Sequence, residues 1–163
     1  MFHVILLILL ATLIGCTHTL DTTDPSRAQV VTVHDGDTIT VVFQGTSRRV
    51  RLAGIDCPES NQDYGEEATR TTKNLALNQD VRMTAIDIDR YARMVAEVRF
   101  LDGRSLNHEL VKAGACWWYR KYAPHDTELK QLPKEARKQR RGVWATASPM
   151  SPWEWRQQNR VMK

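Results

Sequence analysis

Hydrophobic and polar positions alternate through three short runs in the first half of the chain. Gln29–Val33 is a short β-rich run, and Asp35-Gly36 after it is a turn signal. In Thr38–Phe43, Ile39, Val41 and Phe43 alternate with smaller or polar neighbours, the period of a half-buried strand. Gln44-Gly45-Thr46-Ser47 turns the chain into Arg48–Gly54, completing a three-stranded meander. Tyr64–Asn78 has helical composition, with Ala68, Leu75 and Ala76 on a buried side. Val81–Ile86 and Met94–Phe100 read as two more strands. Ser105 is a suitable N-cap for a helix over Leu106–Ala113, which Gly114 stops. Asp126–Arg141 is a charged helix closed by Gly142, and Pro133 inside it predicts a kink or a restart. The proline-rich tail from Ser148 is expected to pack as an extended segment. Five short strands with helices between them indicate an α+β fold, a small barrel decorated by helices.

The N-terminus breaks this pattern. Residues 4–14 are apolar apart from Thr12. As a helix they rise only about 16 Å, against a hydrocarbon core of roughly 30 Å, so a signal-peptide core fits better than a membrane span. The run ends in Leu13-Ile14-Gly15-Cys16, which resembles the bacterial lipoprotein box. The expected organisation is a signal peptide over 1–15, a tether over 16–28 that starts at a lipidated Cys16, a folded domain over 29–147 and an extension over 148–163. The expected location is the bacterial cell envelope, anchored by lipid. An ordinary signal peptide and a secreted product are the alternative.

Composition narrows the class. The 163 residues are 42% hydrophobic and 26% charged, enough for one domain with a core. Collagen, coiled coil and wholesale disorder are excluded. Three cysteines are too few for a disulfide scaffold, and five histidines without close pairing argue against zinc. The net charge of +4 permits a polyanionic partner. Nothing indicates an oligomer, so a monomer is expected.

The densest polar signal runs from Asp35-Gly36-Asp37-Thr38 to Arg51-Leu52-Ala53-Gly54-Ile55-Asp56-Cys57-Pro58-Glu59. A meander can bring Asp37 and Asp56 together at adjacent strand ends. Two carboxylates without His or Cys side-chain ligands suit a hard cation, Ca²⁺ or Mg²⁺. Arg51 and Leu52 are neighbours in a strand and point to opposite faces, so Leu52 enters the core while Arg51 lies over the acidic cluster. A metal and a guanidinium together neutralise charge growing on a phosphodiester. Glu59 can take a proton from attacking water. Arg93, after Asp89-Arg90-Tyr91-Ala92, leaves the barrel interior and offers a second phosphate clamp. Singly, each of these residues is more often structural. Their order and spacing carry the argument.

In that order and spacing, residues 35–59 resemble the signature of the staphylococcal nuclease (thermonuclease) family, and Asp89–Val98 resembles its second signature. The resemblance spans about Gln29 to Trp144. It implies an OB-type five-stranded barrel with three α-helices, and Ca²⁺-dependent hydrolysis of DNA and RNA that leaves 3′-phosphates. It implies Asp37, Asp56 and the backbone carbonyl of Cys57 as metal ligands, Arg51 and Arg93 on phosphate, and Glu59 as general base. It places Arg90, Tyr91 and Tyr122 beside the nucleotide. There are departures. Ala92 stands where glycine is usual, Arg120 stands where the type enzyme has a tyrosine, and only four residues separate Glu59 from Tyr64. In such a fold a Cys57–Cys116 disulfide is possible, with two free thiols as the alternative. Trp117, Trp118 and Tyr119 suit either base stacking or packing, with packing expected for at least one tryptophan. Lys134, Arg137, Lys138, Arg140 and Arg141 form a basic surface, read first as a solvated face. The leading expectation is therefore a sugar-nonspecific nuclease. A noncatalytic nucleic-acid-binding module on the same fold is the alternative, and retention of Asp37, Arg51, Asp56, Glu59 and Arg93 counts against it.

Overall fold

A computed structural model describes residues 24–161. Five strands close into a barrel in the order β1 (Arg27–Val33), β2 (Thr38–Phe43), β3 (Thr46–Leu52), β6 (Met94–Phe100) and β5 (Asp80–Ile88). Every pairing is antiparallel except β3 with β6, which is parallel. The inward set is β-branched and aliphatic: Val30, Ile39, Val41, Val50, Leu52 and Val98 have no exposed surface. The alternation in the sequence thus becomes the inside and outside of the barrel.

The first strand begins before the expected boundary. Arg27 pairs with Asp80 at 2.9 Å, and Asp24 accepts from Arg82 Nε at 2.7 Å. Hydrogen bonds from Ser26 and then from Arg82 lower the Asp24 carboxyl to about 2. Residues 24–28, expected in the tether, are therefore tied to the barrel edge. Cys16 and the apolar run 4–14 lie outside the described residues.

Three helices occupy the expected places: α1 (Gly65–Ala76), α2 (Leu106–Lys112) and α3 (Thr127–Lys138). Ser105 caps α2 through the His108 amide, and Asp126 caps α3 through the Leu129 amide at 2.8 Å. The side chain of Asn107 fastens α2 to the barrel, accepting from the Val98 amide at 3.1 Å and donating to the Ala53 carbonyl at 2.8 Å. The restart that Pro133 allowed is absent. The helix runs unbroken through it, held by buried Leu129, Leu132 and Ala136.

Two further elements depart from expectation. Ile55–Asp56 (β4) pairs with Trp117–Trp118 (β7) as a separate two-stranded sheet. The tail is helical, not extended: α4 covers Pro152–Val161, so the described residues form four α-helices rather than three. Its start is a capping box. Ser151 Oγ accepts from the Glu154 amide at 3.4 Å, and the Glu154 carboxylate accepts from the Ser151 amide at 3.1 Å. Pro152 takes the first helical position, where a missing N–H costs nothing.

Candidate active site

Strand pairing assembles the acidic cluster. Thr38 and Arg51 are register partners on β2 and β3, and the Leu52 amide donates to the Asp37 carbonyl at 2.8 Å. Asp37 sits in a turn whose geometry is held by Asp35, which accepts from the Asp37 amide at 3.0 Å. Asp56 comes in on β4. That strand is clamped by its pairing with β7 and by a disulfide between Cys57 and Cys116, which selects the bonded alternative. The bridge spans a sequence separation of 59 residues, a loop length worth about 4 kcal/mol of restricted unfolded chain.

Arg51 then joins the two carboxylates. Its Nε lies 3.1 Å from Asp37 Oδ1 and its Nη2 lies 3.1 Å from Asp56 Oδ1. All three side chains are largely buried, at 16%, 10% and 3% exposure for Arg51, Asp37 and Asp56. Leu52 points into the core, as the strand parity required. The other Asp37 oxygen accepts from the Cys57 amide at 2.8 Å, which ties the segment after β4 to the Asp-Gly turn.

Arg93 reaches the same cluster through a hydroxyl. Thr38 Oγ1 donates toward Asp37 at 3.3 Å and accepts from Arg93 Nη1 at 3.3 Å. Asp89 holds the Arg93 guanidinium at 2.7 Å. The turn before Arg93 keeps a left-handed residue at Ala92, with φ 59°. The alanine therefore leaves the glycine-type turn in place, at a cost of about 1–2 kcal/mol.

Gly36 explains how the turn can lie so close to the disulfide. A Cβ there would meet the Cβ of Cys57 at 2.5 Å and that of Ala68 at 3.2 Å. Gly36→Ala should cost about 1–3 kcal/mol by overpacking and should displace Asp37. Thermal denaturation checks the first effect and activity the second. An unchanged melting temperature would contradict the close approach.

The donor set fits a hard divalent cation in kind. Asp37, Asp56 and the Cys57 carbonyl offer oxygen only. Among the described residues no three His, Cys, Asp or Glu side chains form a ready-made cage. Water or phosphate oxygens would complete the shell. Burial raises the Asp37 carboxyl to about 7, with Asp35 and Asp56 adding to the effect, and Arg51 and the Cys57 amide only partly oppose it.

This gives a pH prediction with a definite sign. Without metal, the folded state keeps a proton on Asp37 that the unfolded chain releases between 3.8 and about 7. Stability from this group should fall as pH rises through that window, by about 1.4 kcal/mol per unit. Melting curves in chelator from pH 5 to 7.5 should fall more steeply for the wild type than for Asp37→Asn. Equal slopes would remove the assignment.

Residues 49–146 match the model of the staphylococcal nuclease homologue family. The chain belongs to the staphylococcal nuclease family. A protein named as an uncharacterized endonuclease of Escherichia coli O157:H7 is 44% identical over 130 residues, covering 80% of this chain and 84% of its own length. A micrococcal nuclease of Shigella flexneri is 38% identical over 139 residues, 80% of each chain. An uncharacterized endonuclease of Haemophilus influenzae is 34% identical over 157 residues, covering 96% of this chain and 84% of the relative.

In this staphylococcal nuclease homologue, Asp37, Arg51, Asp56 and Glu59 share one cluster, and Arg93 borders it. Arg90 and Tyr91 stand out on the β5–β6 turn. Both Arg90 and Arg93 lie over the Tyr91 ring, at 4.9 and 5.4 Å. Tyr122 is exposed and packs edge-on against Tyr119 at 4.9 Å. Trp117 is buried against Trp144 at 5.3 Å, and the Trp118 indole donates to the Ala123 carbonyl at 3.0 Å. Both tryptophans are thus packing residues. In the basic stretch, Arg137 covers Trp144 and Arg141 donates to the Lys112 carbonyl.

The structure adds residues that sequence reasoning missed. Gln62 closes the short loop after Glu59: its Oε1 accepts from the Glu59 amide at 3.2 Å, and its Nε2 donates to the Met150 carbonyl at 2.8 Å. Arg156, on α4, donates to Asp56 Oδ2 at 2.6 Å and to Glu59 Oε1 at 2.7 Å. Burial opposes its charge, but the bonds to Asp56 and Glu59 outweigh burial and hold it above the usual arginine range.

Proposed function

We propose that this nuclease is a divalent-cation-dependent phosphodiesterase that cleaves DNA and RNA with little sequence preference, with calcium preferred over magnesium. The observation that carries the reading is the Asp37–Arg51–Asp56 bridge with Glu59 beside it. In this reading Asp37, Asp56 and the Cys57 carbonyl hold the cation, which supplies Lewis-acid neutralisation of the phosphate. Arg51 and Arg93 bind phosphate oxygens and stabilise charge that grows on them. Glu59 accepts the proton of the attacking water. Water adds at phosphorus, the 5′ P–O bond breaks, the departing 5′ oxygen takes a proton from solvent, and the products are a 3′-phosphate and a 5′-hydroxyl. Arg90, Tyr91 and Tyr122 border the nucleotide, where exposed aromatic faces tolerate any base.

The same reading places the protein in the cell envelope on a lipid attached to Cys16. The Cys57–Cys116 disulfide supports an oxidising compartment. Mass spectrometry of the mature protein tests the lipid directly, through a diacylglyceryl mass on Cys16.

The activity test incubates the protein with plasmid DNA and with single-stranded RNA, in Ca²⁺, in Mg²⁺ and in chelator. Cleavage of both substrates in Ca²⁺, and its loss in chelator, is the expected result. Cleavage in chelator at the Ca²⁺ rate would overturn the metal requirement. Binding without cleavage under any condition would turn the reading to the noncatalytic module.

A further inference from the structure

The C-terminal helix enters the site. The capping box at Ser151 fixes where α4 begins, and Gln62 holds the chain just ahead of it at Met150. Trp153 stacks on Tyr119, with ring centroids 5.2 Å apart and planes 13° from parallel. Arg156 follows three residues later, on the same side of the helix. Its guanidinium donates to both oxygens of Asp56, at 3.2 and 2.6 Å, and to Glu59. With Arg51 also on Oδ1, Asp56 accepts from two arginines. One helix therefore places a cation on the proposed metal ligand and on the proposed base together, and an indole against the tyrosine that neighbours Tyr122.

The charges make this contact exclusive. Asp37, Asp56 and Glu59 face Arg51 and Arg156. Withdrawing Arg156 uncovers Asp56 and Glu59 together and leaves the cluster one unit of negative charge richer. An ion held by Asp56 while the guanidinium stays would put like charges side by side in a half-buried site, where screening is weak.

We propose that α4 is an autoinhibitory plug in which Arg156 serves as a built-in cation, so that docking of α4 and binding of a divalent cation at Asp56 exclude each other. The inference rests on the metal reading of the Asp37–Asp56 pair. Its consequence is a tunable metal requirement: the apparent affinity is the intrinsic affinity reduced by the fraction of molecules with α4 docked. By reciprocity, calcium loosens α4 by the factor with which α4 weakens calcium.

The test titrates calcium chloride alone into the full chain by calorimetry, without nucleic acid. Arg156→Ala should bind Ca²⁺ about tenfold more tightly than the wild type. Arg160→Ala removes the same charge from an exposed position on the same helix and should stay within about twofold. Hydrogen exchange on the unmutated chain gives a second readout: Ca²⁺ should speed amide exchange within α4. Equal affinities in wild type and Arg156→Ala, with α4 exchange unmoved by Ca²⁺, would overturn the plug and leave the metal reading intact. No calcium binding by any of the three chains would overturn both.

Discussion

Glu59→Gln is expected to lower turnover by about 10²–10⁴-fold while leaving the fold and the substrate contacts in place. The substitution is close to isosteric. Glu59 is the most exposed of the three cluster carboxylates, at 38% of its side-chain surface, so little packing is at stake. What changes is charge and proton affinity at Oε1. Two effects follow, and they oppose each other. The base that would take the proton from water is lost. Arg156 also loses its charged partner at 2.7 Å, which weakens the hold of α4 and favours metal entry. That second effect should stay below the about tenfold expected for removing Arg156 altogether, because Arg156 keeps its bonds to Asp56. The first is larger by one to three orders of magnitude, so the net result is a loss. Steady-state kinetics at saturating Ca²⁺ isolates the first effect, because excess metal removes the advantage of a loosened plug. Activity within about threefold of the wild type would take the general-base role from Glu59.

The barrel was legible because strand parity is a local property. Ile39 and Val41 alternate with Thr40 and Val42, and that alternation is enough to say which side is core. Arg51 beside Leu52 carried the same information to the site, since one neighbour had to face the acidic cluster if the other was buried. Ser105 and Asp126 announced their helices through side-chain chemistry that reaches only three residues along the chain. Metal-ligand candidates were readable as residue types in a known order.

The failures are non-local, with one exception. β4 and β7 are two residues each, too short for any period, and they exist because the Cys57–Cys116 bond and the register Asp56↔Trp117 hold them. Arg156 lies 100 positions from Asp56 and nothing near it in sequence marks its partner. The exception is α4 itself. Ser151-Pro152-Trp153-Glu154 carries both halves of a capping box with proline at the first helical position, a start signal visible in the sequence. The prolines at 149 and 152 drew attention to extended structure instead. At Pro133 the opposite happened. The proline removes one amide donor from α3, but the apolar face of Leu129, Leu132 and Ala136 packs on the domain and outweighs that local loss.

Arg51→Ala should lower activity by about 10²–10³-fold and destabilise the protein, and the two losses should respond differently to calcium. Among the described residues the guanidinium is the one group that touches both buried aspartates. Removing it leaves Asp37 with the Cys57 amide and the Thr38 hydroxyl as donors, and no cation within bonding distance among the described residues. Breaking a buried ion pair by removing one partner costs about 3–5 kcal/mol. Asp37, already raised to about 7 by burial, loses the main influence that holds it down, so the penalty should grow as pH rises. Calcium should recover much of this stability, since an ion bound only by the folded state stabilises it by mass action. It should not recover activity. The phosphate would still lack the arginine that stabilises its developing charge, a contribution of about 10²–10³-fold in rate for a single well-placed donor. Arg51→Lys separates charge from geometry. A single ammonium keeps the positive charge but cannot make the two-pronged bridge from Nε to Asp37 and from Nη2 to Asp56, so it should recover stability in part and rate hardly at all. Melting curves and initial rates, each with and without Ca²⁺, make the comparison. An Arg51→Ala protein that is folded in Ca²⁺ and cleaves plasmid DNA within tenfold of the wild-type rate would mean that Arg51 serves the fold alone. The phosphate would then have to be held by Arg93 from the far side of Thr38.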